Sequence, residues 1–434
     1  MVTMARPRLR FTRRRPGILG RLHLDAAIIA GNGAAWASQL AGRGSGASIR
    51  GKVMMGLDRG ALAKLLAGRR VASVSGTNGK TTTTHLLTAA VRASLAAPEL
   101  VVTNADGANL HHGIASALAT HPEAHIAVLE TDERVVPAVV DLGAPEVLVL
   151  LNFSRDQLDR HHEIKALGRG WREALAKAGD NGPVVVANAC DPLVVWAAQP
   201  ARRVLWVDTA DPWTQDATLC PGCGAVLTRG ESGWACPEGD LAQPTADYVL
   251  DGEAIVDPVG KAWQLDLQVP GRFNRANAAC AFAAARVMGV PPSQAIEGMN
   301  SVTSPAGRYA VATVNGAQGR LLLAKNPAGW AESLPLALTD PVVLAIDAAA
   351  ADGRDVSWLW DVDYEQLAGR HVVCTGPRAQ DLAVRLDYAG VDHTIVPDLS
   401  EAFADPRIAQ VEGPVDVIAT YTPFQKLRKL GGLA

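Results

Sequence analysis

The sequence predicts a two-domain α/β protein whose larger part is a doubly wound parallel sheet. Three observations carry this expectation. Short continuous β-branched runs alternate with helical stretches, the pattern of strands buried on both faces. One such run enters a Gly-containing turn that opens a helix. At 434 residues the chain is also too long for one ordinary core.

The organising stretch is Ala72 to Thr84, A-S-V-S-G-T-N-G-K-T-T-T-T. Its β-prone run, Val71 to Val74, leads into Gly76, Thr77, Asn78 and Gly79. Lys80, Thr81 and Thr82 then begin a helix. Glycines let backbone N–H groups approach phosphate oxygens, and the helix offers its positive end. Lys80 neutralises the terminal phosphates, and the Thr81 hydroxyl reaches Mg²⁺. ATP and Mg²⁺ are therefore the expected cofactors. The usual eight-residue loop would begin with Gly at 74, where this chain has Val74, so the loop is a shortened variant.

The remaining elements follow in order. Residues 1–20 form a basic arm, with seven arginines preceding the first acid, Asp25. The arm reads either as a segment touching anionic lipid or a partner, or as a disordered tail with Met4 as a competing start. Residues 21–302 are expected to form the central ATPase domain, beginning with a helical segment. Further strands are expected at Leu100 to Thr103, Ile126 to Leu129, Val147 to Leu151, Val184 to Ala187 and Val204 to Val207. Ligands of such sheets sit at the carboxyl ends of the strands. Glu130, directly after one of them, is the second expected Mg²⁺ ligand, with Asp132 and Glu133 as competitors. Asn152 to His161 places a dense polar run after another strand. His161, His162 and Glu163 read as surface polarity rather than a metal pair.

Residues 214–243 interrupt this pattern with a ribbon-like insertion. Cys220-Pro-Gly-Cys223, twelve residues, then Cys236 has the cadence of a zinc ribbon, but Gly239 stands where the fourth Cys belongs. Asp240 or a water could complete a Zn²⁺ site, or the ribbon could persist without metal; Trp234 and Leu227 would form its core. Asn274 and Asn277, at the head of an Ala-rich helix, could read a nucleotide base, fix a loop or cap the helix. Residues 303–434 are expected to form a smaller α/β domain with strands near 311, 320, 342, 371 and 415. Arg308, at the hinge, could reach the γ-phosphate when the domains close.

With a net charge of −3 and globular composition, nothing suggests a nucleic-acid partner. No signal peptide or membrane span is evident, so a cytoplasmic location is expected. Six cysteines do not make a disulfide framework here, and Cys190, Cys280 and Cys374 read as buried structural thiols.

Taken together, G-T-N-G-K-T, N-F-S-R-D-Q-L-D-R, the ribbon insertion, G-R-F-N-R-A-N, K-N-P-A-G and D-G-R-D-V-S-W-L-W-D-V-D resemble the MurT family, Mur ligase-like subunits of lipid II isoglutaminyl synthase. The resemblance runs from about residue 20 to the end, and the incomplete ribbon is the main departure. It implies a ligase of cell-wall peptidoglycan synthesis that amidates the D-Glu α-carboxylate of lipid II to D-isoglutamine. Lys80, Thr81 and Glu130 would hold Mg-ATP, Asn274 and Asn277 would lie on the base side, and Arg308 would steady the transferring phosphate. It further implies a heterodimer with a GatD-type glutaminase supplying ammonia at the inner face of the membrane. An Asp of the D-G-R-D motif would orient the partner's catalytic His. Asp355 is preferred over Asp352, with Trp358 and Trp360 as interface anchors or core residues. An amino-acid-adding Mur ligase and a non-catalytic ATP-binding scaffold are the rival readings.

Overall fold

The computed structural model describes residues 16–40, 46–104, 108–154, 164–210, 217–231, 233–239, 241–303, 309–349 and 352–433. The expected Asp240, Arg308, His161, His162 and Glu163 lie outside these residues.

Three helices precede the sheet: α1 (Ile18–Leu40), α2 (Ala47–Leu57) and α3 (Ala61–Leu66). Strands β1 (Arg70–Ser75), β2 (Val101–Thr103), β3 (Ile126–Glu130), β4 (Val147–Leu150), β5 (Val184–Asn188) and β6 (Arg203–Asp208) follow. All six apolar runs singled out in the sequence therefore form strands. They pair in parallel in the order β2-β3-β1-β4-β5-β6. β1 sits in the middle, flanked by β3 and β4, so both neighbours deliver their carboxyl ends beside the phosphate loop.

Helix α4 (Lys80–Ala93) and the helix Arg272–Val287 cover one face of this sheet. The run Ala278, Ala279, Cys280, Ala281 is fully buried there, because small side chains let the helices approach closely. Gly298 shows how tight the packing is: a Cβ at that position would lie 2.4 Å from the Ala89 carbonyl oxygen. The opposite face is covered by α3 and the helix His111–Ala119.

Beyond β6 the chain makes a small hairpin, β7 (Thr228–Gly230) and β8 (Gly233–Ala235). It then adds β9 (Tyr248–Asp251), parallel to β6, and the antiparallel β10 (Ala254–Val256) and β11 (Ala262–Gln264). The sequence pattern did not reveal these three. They are only three or four residues long, and β9 alternates buried and exposed positions while β11 is the exposed edge, so they lack the continuous apolar run of a strand buried on both faces.

The second sheet comprises β12 (Tyr309–Val314), β13 (Ala317–Leu323), β14 (Val342–Ala345), β15 (Val372–Thr375), β16 (His393–Ile395) and β17 (Val415–Ala419). Their order is β12-β13-β17-β14-β15-β16, parallel except for the β12–β13 hairpin. β17 is central, and its Asp416 is fully buried. That carboxylate accepts from Arg320 Nε at 2.5 Å and from the backbone N–H groups of Leu338 and Thr339 at 2.6 and 3.0 Å. A buried charge is tolerated when its lone pairs are filled in this way.

Asp416→Ala would leave a guanidinium and two amides without their acceptor. We expect it to lower the stability of this domain by roughly 2–4 kcal/mol, read as a fall in the urea midpoint with little change in slope.

Candidate nucleotide and ligase site

The phosphate loop leaves β1 at Ser75 and turns on two glycines with positive φ, Gly76 at 142° and Gly79 at 82°. Each is also sterically required. A Cβ at Gly76 would stand 2.8 Å from Leu151 Cβ and 2.9 Å from the Asn152 nitrogen; one at Gly79 would stand 2.3 Å from Asn277 Oδ1. Asn152, just past β4, holds the loop at three points. Its carbonyl accepts from Thr77 N at 2.9 Å, its Oδ1 from Asn78 N at 2.8 Å, and its Nδ2 donates to the Asn78 carbonyl at 3.1 Å. Asn78 Nδ2 donates to Ser154 Oγ at 2.9 Å. The polar run after β4 therefore begins inside the site, as its position at a strand end implied.

Lys80 is buried at the start of α4. Its ammonium donates to the carbonyls of Gly76 and Thr77 and to Glu133 Oε2 at 3.2 Å. The three acids after β3 have separate roles. Asp132 turns to Arg134 at 2.8 Å; burial pushes its carboxyl up, but the Arg134 hydrogen bonds outweigh this and hold it below the usual range. Glu133 meets Lys80. Glu130, opposite Val74 in the β1–β3 register, exchanges backbone hydrogen bonds with the Asn104 side chain and accepts from Asn109 Nδ2 at 3.0 Å. Its Oε2 is buried with no hydrogen-bond partner among the described residues. A buried carboxylate oxygen left without a donor beside a phosphate loop is suited to a hard cation, so the residues present fit Mg²⁺. Asn104 and Asn109 were not singled out in the sequence. Their only signal is position, just beyond the carboxyl end of β2.

Asn277 packs against Gly79, at the helix start itself. Asn274 donates to the Pro270 carbonyl at 2.6 Å and keeps its Oδ1 buried without a partner among the described residues. The smaller domain reaches the loop directly. Asn326 Nδ2 donates to Asn78 Oδ1 at 3.1 Å, while its Oδ1 caps the helix Pro327–Ser333 through Gly329 N. A second contact between the domains, a salt bridge of 2.7 Å from Arg272 to Glu332, fastens the helix Arg272–Val287 to the helix Pro327–Ser333.

The D-G-R-D aspartates differ sharply. Asp352 is buried and accepts from Thr422 N at 2.7 Å. Asp355 is exposed, and the Ser357 N–H, at 2.8 Å, holds its carboxyl below the usual range. Trp358 is core, stacked with Trp330 at 5.9 Å, so an anchoring role can fall only to Trp360, which is half exposed against Tyr388. Neither aspartate contacts the phosphate-loop cluster among the described residues.

In the ribbon, the sulfurs of Cys220, Cys223 and Cys236 lie within 4.8 Å of one another. Burial pushes the Cys220 thiol up, but the backbone N–H groups of Cys223 and Gly222 bring it below its usual value. Trp234, Leu227 and both buried cysteines form the ribbon core, and Trp234 Nε1 ties it to the sheet through the Ala189 carbonyl at 3.0 Å. Burial pushes the thiols of Cys280 and Cys374 up to about 12, which suits structural rather than reactive cysteines.

A phosphate loop with a buried Lys, a cation-ready Glu and a second α/β domain closing on the loop defines an ATP-dependent ligase of the Mur type. The Mur ligase middle domain matches residues 74–285 and the MurT ligase C-terminal domain residues 323–424. Proteins named lipid II isoglutaminyl synthase (glutamine-hydrolyzing) subunit MurT are similar along most of their length. The one from Staphylococcus aureus is 28% identical, covering 87% of this chain and 91% of its own; the one from Streptococcus pneumoniae is 26% identical, covering 93% and 96%. The chain thus carries a Mur ligase middle domain followed by a MurT ligase C-terminal domain, and its similarity to the MurT subunits spans most of both chains. MurF from Acinetobacter baumannii shares the fold, with a TM-score of 0.62 at 15% identity over 89% of this chain and 80% of that one. A pseudomurein peptide ligase from Methanothermus fervidus does so at 0.61 and 17%, over 83% and 78%.

Gly79→Ala would drive a methyl into Asn277 and force a positive φ on alanine. We expect ATP binding, measured by calorimetry, to be lost while the chain remains folded by circular dichroism.

Proposed function

We propose that this chain is the synthetase subunit of a lipid II isoglutaminyl synthase. In this reading it activates the D-Glu α-carboxylate of the stem peptide with ATP and passes it to ammonia made by a glutaminase partner of the GatD type. The observation that carries the reading is the pairing of a complete phosphate loop with an exposed Asp355 on a MurT-type C-terminal domain. A carboxylate is a poor electrophile until one oxygen becomes a phosphate leaving group. Transfer of the terminal phosphoryl group to the carboxylate gives an acyl phosphate and ADP; ammonia adds at the carbonyl carbon, phosphate leaves, and a proton is lost to give the amide.

The residues divide this work. Lys80 and the N–H groups of the glycine turn neutralise the phosphates. Thr81 and Glu130 would hold Mg²⁺, which supplies charge neutralisation at the transferring group. Asn274 and Asn277 are assigned to the base side and to fixing the helix start, and Arg308 to the transferring phosphate. Asn326 brings the smaller domain onto the loop, which favours a closed, water-poor site.

No described cysteine has the setting of a glutaminase nucleophile, which supports a separate ammonia source. Asp355 is then the positioning residue that would fix the imidazole tautomer of the partner's catalytic His, since it faces solvent whereas Asp352 is buried in the domain. The lipid-linked substrate implies work at the membrane surface. No described helix is long and apolar enough to cross a membrane.

Three thiols around one point suit Zn²⁺, with a fourth ligand from Asp240 or water. Gly239 lies at the open side: a Cβ there would stand 3.6 Å from Cys236 Sγ. Gly239→Cys is therefore expected to slow zinc loss to a chelator, followed with a colorimetric zinc indicator. If the variant and the wild type bind no zinc, the ribbon stands on its apolar core alone.

The test of the main reading is mass spectrometry of lipid II incubated with the chain and Mg-ATP. Amide should form with ammonium alone, and with glutamine only when the glutaminase is present. Asp355→Asn should abolish the glutamine-dependent reaction and spare the ammonium-dependent one; Lys80→Ala should abolish both. Addition of an amino acid instead of amide would overturn the reading in favour of an amino-acid ligase.

A further inference from the structure

Helix α1 carries two apolar faces. One is the expected core face, Leu24, Ala27, Gly31, Ala35 and Ser38, packed on α2 so closely that a Cβ at Gly31 would lie 2.8 Å from the Arg50 carbonyl oxygen. The other points away from the protein. Ile18, Leu22, Ile29, Trp36 and Leu40 recur at intervals of four and seven residues, which aligns them along one stripe of a helix. They are 82%, 60%, 71%, 65% and 70% exposed. Ala26 and Gly33 fill the gaps in the stripe, and Leu19, 83% exposed, widens it at the amino end. Asp25 at its edge is the only acid of the helix.

Solvent-facing helices ordinarily present charge, so this stripe needs an occupant. The charge around it says which. Ten Lys and Arg and a single acid precede Asp58, nine net positive charges in a chain that totals −3. The rest of the protein therefore carries a net negative charge, and the net positive charge belongs to the first 57 residues of the sequence, the part that contains α1. A second copy of this chain would bring a second positive region against the first. An anionic lipid surface is complementary on both counts, taking the apolar residues among its acyl chains and the arginines among its headgroups.

We propose that the exposed face of α1 is a docking surface for an anionic bilayer, to which the arginines preceding it in the sequence add charge attraction. The helix lies in the interface rather than spanning it. The proposal rests on the lipid II reading only for its purpose, which is to hold the enzyme where a lipid-linked substrate is found. Its physical basis is the stripe and its charge.

The test is flotation of the full chain with vesicles of phosphatidylcholine, alone or mixed with phosphatidylglycerol, at low and high salt. Binding should require the anionic lipid, weaken with salt, and shift Trp36 emission to the blue. Ile29→Glu and Trp36→Glu put a charge on an exposed face, so thermal unfolding should not change. Each should weaken binding by about tenfold or more, as should replacement of Arg13, Arg14 and Arg15 by Gln through its charge alone. Equal binding to neutral vesicles, or no effect of either Glu variant, would overturn the proposal. So would a concentration-dependent dimer that Ile29→Glu dissolves without any vesicle binding. Amidation of a tail-free substrate should be unchanged in both Glu variants. If the wild type lacks that activity yet floats with anionic vesicles, the amidation reading fails and the docking surface stands.

Discussion

The site depends on one closure: Asn152, at the end of β4, clasps the turn at the end of β1. Three hydrogen bonds from a single residue fix Thr77 and Asn78, and they can form only because Gly76 leaves no side chain between the strands. That constraint sets the direction of the loop's N–H groups and hence where phosphate can sit. It also explains why β1 must be central. Its neighbours supply the clasp on one side and Glu130 on the other.

From the loop the dependence extends to the smaller domain. Asn78 accepts from Asn326 with the same side chain that donates to Ser154, so loop geometry and domain position are set by one residue. Asn326 is itself fixed, because its other amide atom caps the helix Pro327–Ser333. The Arg272 to Glu332 bridge is partly exposed and contributes little energy alone, but as a second contact between the two domains it restricts rotation about the first. The shape of the turn after β1 and the position of the C-terminal domain are thereby linked.

The site was unevenly legible in the sequence. Gly76, Lys80 and Glu130 could be singled out as candidates because a strand, a turn and a helix occur in the order phosphate binding demands and an acid follows the neighbouring strand. Asn104 and Asn109 did not, since an Asn in a loop carries no periodic signal. The D-G-R-D pair could not be resolved by spacing. Burial separates them, with Asp352 turned inward to Thr422 N and Asp355 left facing solvent. The tryptophans of the same motif divide the same way.

The sequence by itself determined strands β1 to β6, β12 to β15 and β17, the glycine turn before Lys-Thr and the ribbon's cysteine cadence, but not β9 to β11 or β16. Each is a local pattern: continuous β-branched runs, a glycine turn before Lys-Thr, a C-x-x-C knuckle. Only the tertiary structure decided the partners. It set Glu133 on Lys80, Asp132 on Arg134, Asn277 against Gly79 and Asn326 on Asn78, contacts between residues up to 248 positions apart. It also turned one apolar stripe of α1 inward and left the other in solvent. Periodicity reports that a residue is apolar and on which face it lies. What that face meets is fixed by how the elements pack.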